Sequence, residues 1–267
     1  MQIIRPPAVA GRFYPGDAHT LTHDVRALLA TVRPSGLNPK ALIVPHAGYI
    51  YSAAVAAAAY AALQPFASRI RRVVLLGPAH RVAIRGLALP DADAFATPLG
   101  LVEIDQEAVQ SITGLPQIIT SPQCHAQEHA LEVQLPFLQT VLPKFKLLPL
   151  AVGAASAQEV SEVLELLWGG DETLIVVSSD LSHYLPYDTA KRVDSVTLQA
   201  ILKLEAVLDH EQACGATPIN GLLLSARSHH LTPHLLDQCN SGDTAGSRDG
   251  VVGYASCAFT GEADHVH

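Results

Sequence analysis

Several of the most apolar segments of this sequence are followed directly by side chains that could bind a metal or transfer protons. His46 follows the first such segment, His80 follows the second, and Asp180 and His183 follow a later one. The segments are predicted to be buried strands over residues 41–44, 72–76 and 173–177. Ligands of open α/β sheets bind where the carboxyl ends of the strands converge, so these side chains are expected to meet there.

The two histidines are separated along the chain by one strand–helix–strand unit. We therefore expect their strands to be neighbours and their imidazoles to reach one metal ion. Asp180 is expected to fix the tautomer of His183, which would then shuttle protons. The alternative is a helix N-cap at Asp180 with His183 in the first turn. Eight other histidines are interpreted as surface or local packing residues: His19, His23, His210, His229, His230, His234, His265 and His267.

Three further features have both a structural and a functional interpretation. Glu128 and His129 precede an apolar helical pattern, so the simpler interpretation is a helix N-terminal turn, where a glutamate favours the helix dipole. Cys214 is by default a buried, inert thiol, but as a thiolate it would be a soft ligand for copper, zinc or iron. The serines within 178–182 suggest a hydrolase only weakly, because no G-x-S-x-G elbow is present.

Strands and helices alternate along most of the chain. We predict helices from Asp17 or Thr20 to about 32, after Asp105, over 130–142 with a kink or boundary at Pro136, and over 157–167, 188–206 and 218–228. We also predict strands over 146–150 and 251–259, a hairpin within 84–104 around 97–100, a polar loop over 240–250 and a frayed tail over 263–267. This alternation predicts one α/β domain over residues 1–267, with a mainly parallel or mixed sheet between two layers of helices.

The charge and composition of the chain argue against several classes of partner and location. The net charge is -8, and the longest basic cluster is only Arg69, Arg71 and Arg72, which argues against nucleic acid or an anionic membrane surface as a partner. The longest apolar run, over 53–63, is too short to span a bilayer. The N-terminus lacks a secretory pattern and the four cysteines form no CxxC pair, so we expect a cytoplasmic protein with free thiols.

Six short motifs resemble those of one protein family. They are Ala8-Val9-Ala10-Gly11 with Phe13-Tyr14-Pro15, Pro45-His46-Ala47-Gly48-Tyr49, Gly77-Pro78-Ala79-His80, Glu128-His129 with Leu131-Glu132-Val133-Gln134-Leu135-Pro136, Ser178-Ser179-Asp180-Leu181-Ser182-His183-Tyr184, and Cys214-Gly215. Each motif is short, but together and in this order they resemble the Memo family, which in prokaryotes is protein B of the AmmeMemoRadiSam system.

The resemblance implies a fold similar to that of class III extradiol dioxygenases of the LigB type, which use non-haem Fe(II). It implies an iron or copper ion bound by His46, His80 and Cys214. It also places Asp180, His183, Glu128 and His129 in the same pocket, as candidate catalytic residues. Those dioxygenases bind their iron through two histidines and a carboxylate. A thiolate as third ligand therefore puts ring-cleaving dioxygenation in doubt, because it alters both redox potential and metal preference.

Three functions follow from this resemblance and the clustered histidines. The first is a metal-dependent redox enzyme acting on a small molecule. The second is a metal- or peptide-binding module without turnover, which works as a partner in an assembly, for example with the radical SAM protein of the same system. The third and weaker interpretation is a metallohydrolase, in which the metal activates water. Uptake of O₂ would separate the first function from the third.

Overall fold

The computed structural model describes residues 2–33 and 35–261. Its helices are α1 (Ala18–Thr31), α2 (Tyr49–Ala62), α3 (Gln106–Ile112), α4 (Pro122–Ala126), α5 (Leu135–Val141), α6 (Ala157–Leu167), α7 (Tyr187–Leu202) and α8 (Ala216–Ser228). Its strands are β1 (Ile4–Arg5), β2 (Pro39–Val44), β3 (Arg72–Pro78), β4 (Leu87–Leu89), β5 (Ala94–Thr97), β6 (Gly100–Glu103), β7 (Ile118–Thr120), β8 (Lys146–Val152), β9 (Thr173–Ser178), β10 (His183–Leu185), β11 (Thr232–Asn240) and β12 (Val251–Thr260).

The main sheet is mixed and has nine strands. Its order is β10-β12-β2-β9-β3-β8-β4-β7, and β11 pairs with β12 off this path. The four central strands β2, β9, β3 and β8 are parallel, whereas β12 runs antiparallel to β2 and β4 antiparallel to β8. A second sheet contains β1, β5 and β6.

Alternate residues of the central strands enter two separate cores. Leu42 and Val44 pack in a core with α1, α2 and α5, while Ala41 and Ile43 pack in a core with α3, α6, α7 and α8. Such strands are apolar throughout because both of their faces are covered by helices. The predicted α/β architecture with helices on both faces of a mixed sheet is therefore confirmed.

Local signals in the sequence explain several helix boundaries. The Asp17 carboxylate accepts a hydrogen bond from the Thr20 backbone N–H and so caps α1 as expected. Asp105 caps α3 in the same way. At the contact of α6 with α8, a Cβ on Gly221 would lie 2.3 Å from Val160 Cγ1, so only glycine permits this close approach.

Other predicted boundaries were wrong or incomplete. The helix predicted over 130–142 is regular only over Leu135–Val141, after a 3-10 turn at Glu132–Gln134, so of the two alternatives at Pro136 the boundary is correct and the kink is not. The hairpin around 97–100 exists as β5 and β6, but it belongs to the smaller sheet. The strand β11 was not predicted. The tail predicted over 263–267, with His265 and His267, lies outside the described residues.

Candidate metal centre

His46 and His80 lie just beyond the carboxyl ends of β2 and β3. The expectation that these strands are neighbours was wrong, because β9 is inserted between them. The two imidazoles nevertheless meet across the end of β9, with ring centroids 5.2 Å apart. Each histidine lies two residues beyond its strand, and His46 Nδ1 is 2.9 Å from the Oγ of Ser178, the last residue of β9.

His129 completes a group of three imidazoles. Its ring lies 5.3 Å from that of His46 and stacks on that of His80 at 4.7 Å, measured between centroids. One potential ligand atom from each of the three lies within 4.8 Å of the others. His129 Nδ1 is buried and makes no hydrogen bond among the described residues, although it lies 3.3 Å from Glu128 Oε1. Three converging imidazoles have the donor chemistry that a transition-metal ion requires.

Glu128 holds two of these histidines in place. Its carboxylate accepts hydrogen bonds from the His80 backbone N–H at 2.6 Å and from His80 Nδ1 at 2.9 Å. It also accepts from the backbone N–H groups of His129 and Ala130, each at 2.9 Å. Burial alone would raise the pKa of Glu128, but these hydrogen bonds and the nearby His80 lower it to about 2. The helix-turn interpretation of Glu128 was wrong, because residues 128–131 lie outside any helix, between α4 and the 3-10 turn at Glu132–Gln134.

Asp180 supports His46 rather than His183. Its Oδ1 accepts hydrogen bonds from the backbone N–H groups of His46 at 2.7 Å and Ala47 at 3.3 Å. Within the described residues no hydrogen bond joins Asp180 to His183, so the tautomer of His183 is not fixed as expected. The helix-cap interpretation was also wrong, because His183 begins β10. Burial raises the pKa of Asp180.

Cys214 lies against the group of three imidazoles. Its Sγ is 3.3 Å from His46 Nε2, 3.7 Å from the Asp180 carbonyl oxygen and 3.8 Å from Ser179 Oγ. The Gly215 backbone N–H also donates to Ser179 Oγ at 2.9 Å, which fixes the turn that carries the cysteine. Burial raises the pKa of Cys214 to about 12, so without a metal ion the thiol is protonated.

The protonation of the site suits a metal ion. Burial lowers the pKa of His46 to about 3 and that of His129 to about 4, so both imidazoles are neutral near pH 7. Neutral imidazoles are the form that ligates metals. The Nδ1–H of His80 donates to the Glu128 carboxylate, which leaves Nε2 free to bind a metal. Ligating histidines commonly donate their other ring N–H to a carboxylate in this way.

A cleft of about 1020 Å³ opens beside this group. Its lining includes His80, His183 and Cys214, one face of α7, and the segment 209–212. His210, interpreted as a surface residue, is indeed exposed, but it lies at this cleft. The cleft is wide enough for a small organic molecule or a peptide side chain.

The sequence did not lead us to predict the buried residues that support the site through hydrogen bonds. The carboxylate of Glu132 is fully buried and pairs with Arg5, and the hydroxyl of Ser178 and the amide of Gln134 lie behind His46. Glu132 and Gln134 lie in one of the Memo-like motifs and in an otherwise apolar stretch, and these two signals mark them in the sequence. The serine-hydrolase interpretation loses support, because the Ser178 and Ser179 hydroxyls donate to backbone carbonyls.

Known proteins resemble this chain in sequence or in fold. The family model described as "Memo-like protein" matches residues 5–258. A MEMO1 family protein of Aquifex aeolicus is 36% identical over 96% of this chain and 99% of its own length, and one of Archaeoglobus fulgidus is 34% identical over 96% and 99%. An uncharacterized Escherichia coli protein, JW3007, has a similar fold, with a TM-score of 0.53 at 15% identity over 81% of this chain and 98% of its own. With a three-histidine group at the sheet edge and these relatives along nearly its whole length, the chain belongs to the Memo family.

Proposed function

We propose that this protein is a metal-dependent redox enzyme that binds iron or copper at the imidazole group and acts on a small molecule in the adjoining cleft. The observation that carries the proposal is the convergence of His46, His80 and His129 to within 4.8 Å at the sheet edge. Converging imidazoles beside an open cleft are typical of a catalytic metal site, which keeps room for substrate.

For the protein ligands we propose His46, His80 and Cys214, as Memo proteins imply. Cys214 contacts His46 Nε2 at 3.3 Å, so the thiol already lies beside the nitrogen that would bind the metal. His129 is the competing third ligand, because its nitrogen belongs to the closest group. If Cys214 is the ligand, the imidazole of His129 is left to position substrate.

Iron or copper bound at these residues would supply one-electron chemistry and activation of O₂. The chain itself supplies orientation and proton transfer. Glu128 fixes the ring of His80 and the backbone of His129. The ring of His183 lies at the cleft and makes no hydrogen bond in the described part of the chain, so we assign it proton transfer to or from the substrate. Asp180 fixes the backbone of His46 and contributes a buried carboxyl group beside it.

Metal content of the untagged protein tests the site. Purified without chelators, the wild type is expected to hold near-stoichiometric iron or copper by mass spectrometry. A His46→Ala/His80→Ala variant should lose it. A His19→Ala/His23→Ala variant removes two histidines outside the site and should retain it. Equal metal content in all three proteins would overturn the assignment.

The third ligand is decided by two single variants. Cys214→Ala is expected to lose metal affinity, while His129→Ala should keep the metal but lose turnover. The reverse pattern would show that three histidines hold the ion. Metal-dependent O₂ uptake with a substrate would support redox catalysis, whereas hydrolysis without O₂ uptake would indicate a metallohydrolase.

A second candidate function is binding without turnover, in a cytoplasmic assembly with a peptide or a radical SAM protein. It is favoured by Tyr184, which is 80% exposed beside His183 and has a φ of 57°. A bulky residue in the left-handed region is strained, and such strain concentrates at functional positions. Val196, 58% exposed, adds apolar surface at the cleft. Within the described residues no helix is both long and apolar enough to span a membrane. A Tyr184→Ala variant that keeps its metal but loses a partner would support this function.

A further inference from the structure

A buried serine lies directly behind His46. Ser178, the last residue of β9, is fully buried, and its Oγ lies 2.9 Å from His46 Nδ1. The same oxygen lies 2.7 Å from the Ala130 carbonyl oxygen and 2.7 Å from Gln134 Nε2. A hydroxyl has one proton to donate and two lone pairs with which to accept. These three neighbours therefore use the full capacity of Ser178.

The direction of each hydrogen bond is determined by groups that can only accept. The Ala130 carbonyl has no proton, so Ser178 must donate its single proton there. The oxygen of Ser178 is then an acceptor toward both remaining neighbours. His46 Nδ1 must consequently carry a proton and donate it.

The orientation of Gln134 is determined in the same way. Its amide nitrogen lies 2.9 Å from the Pro45 carbonyl oxygen, which can only accept, so the NH₂ group must face Pro45 and Ser178. Its amide oxygen is left to accept from the Tyr60 hydroxyl at 2.9 Å. The amide cannot be reversed without placing its oxygen against the Pro45 carbonyl.

We propose that Ser178, oriented by the Ala130 carbonyl and Gln134, is a positioning residue that locks His46 in the Nδ1–H tautomer and so directs a lone pair on Nε2 toward Cys214, which lines the cleft. In the metal-free protein that lone pair faces the Cys214 Sγ at 3.3 Å. On binding, the same lone pair is the one presented to a metal ion. The expected effect on metal binding rests on the proposed metal site, whereas the tautomer exists without a metal ion.

The locked tautomer has an energetic consequence. A neutral imidazole has one protonated and one free nitrogen, and a ligand must present the free one. Removal of a group that is hydrogen-bonded to the non-ligating ring nitrogen of a metal-binding histidine typically weakens metal affinity by about 10- to 100-fold. We expect an effect of that size from Ser178, even though it lies outside the ligand set.

Nitrogen NMR of histidine-labelled, metal-free protein tests the lock directly. The protonated and free ring nitrogens have well-separated ¹⁵N shifts, and the signals of His46 are identified by their loss in His46→Gln. The wild type is expected to show His46 protonated at Nδ1 and free at Nε2. A wild-type spectrum with the proton on Nε2 would overturn the proposal without any need for a serine variant.

A matched pair of serine variants tests the cause. Ser178→Ala removes the acceptor and is expected to shift His46 toward the Nε2–H tautomer and to weaken binding of added Fe(II) by about 10- to 100-fold. Ser225→Ala removes an equally buried hydroxyl, bonded to Ser161 on the other side of the sheet, and should change neither. An unchanged tautomer in Ser178→Ala would refute the role of Ser178. If the wild type bound no metal while the NMR results were as expected, the proposed function would fail, but the role of Ser178 in fixing the His46 tautomer would remain supported.

Discussion

Removal of Glu132 is expected to destabilise the fold far more than removal of an ordinary charged residue. Its carboxylate accepts hydrogen bonds from Arg5 Nη1 at 2.6 Å, from the Tyr14 hydroxyl at 2.6 Å, and from the backbone N–H groups of Ala8 at 2.7 Å and Val9 at 3.0 Å. The side chain of Glu132 is 0% exposed and that of Arg5 is 5% exposed. Water therefore cannot replace the lost partner.

The magnitude follows from this burial. Breaking a buried ion pair by removing one partner costs about 3–5 kcal/mol, because the remaining charge stays buried without compensation. Glu132→Ala is expected to lower the free energy of unfolding by that amount. The midpoint of thermal unfolding should fall by about 6–20 °C, at about 2–4 °C for each kcal/mol in a chain of this size.

Urea unfolding of two variants measures the effect. The control is Asp171→Ala, which breaks the pair of Asp171 with Arg69 at 4.0 Å, where the side chains are 81% and 59% exposed. An exposed pair of this kind contributes about 0–1 kcal/mol. If Glu132→Ala destabilised the protein no more than Asp171→Ala does, the reasoning from burial would be refuted.

Three further predictions concern the site and its surroundings. If Cys214 binds the metal as a thiolate, its pKa of about 12 means that binding releases a proton, so affinity should rise about tenfold for each pH unit between pH 6.5 and 8.5. If His129 is the ligand instead, affinity measured by chelator competition should stay nearly constant over that range, because its pKa lies near 4. Asn220→Ala removes two hydrogen bonds to the backbone of Leu208 and should speed amide exchange there while exchange in the central strands is unchanged. Gly215→Ala places a Cβ 2.7 Å from that of Ser179, and should lower the free energy of unfolding by about 1–3 kcal/mol in urea.

The parts of the structure that depend on local pattern were predictable. The apolar strands at the centre of the sheet and the helix caps at Asp17 and Asp105 follow from composition, periodicity and capping chemistry. The convergence of His46 and His80 was also expected, although for the wrong reason. Strand adjacency was assumed from chain order, whereas sheet order depends on packing between distant segments.

The missed features have two physical causes, namely partners that are distant in sequence and a strand that is only half buried. The partners of Glu128 are set by where β3 ends, and those of Asp180 by where β2 ends, so neither could be inferred from its neighbours in the sequence. β11 is half exposed and contains Pro233, so its pattern lacks the apolar run that marked the central strands. The motif resemblance placed Glu128 and Asp180 in one pocket, but the bonding around them appeared only in three dimensions.

The insertion of β9 between β2 and β3 determines when the site can exist. A nascent chain of 172 residues already contains His46, His80 and His129, but the strand that separates and aligns the first two has not yet been made. Contacts between segments so distant in sequence form late, since a long loop must close before they stabilise anything. We therefore expect the centre to be unformed in chains that end before β9, so that a metal ion meets its ligands together only after this strand has been made.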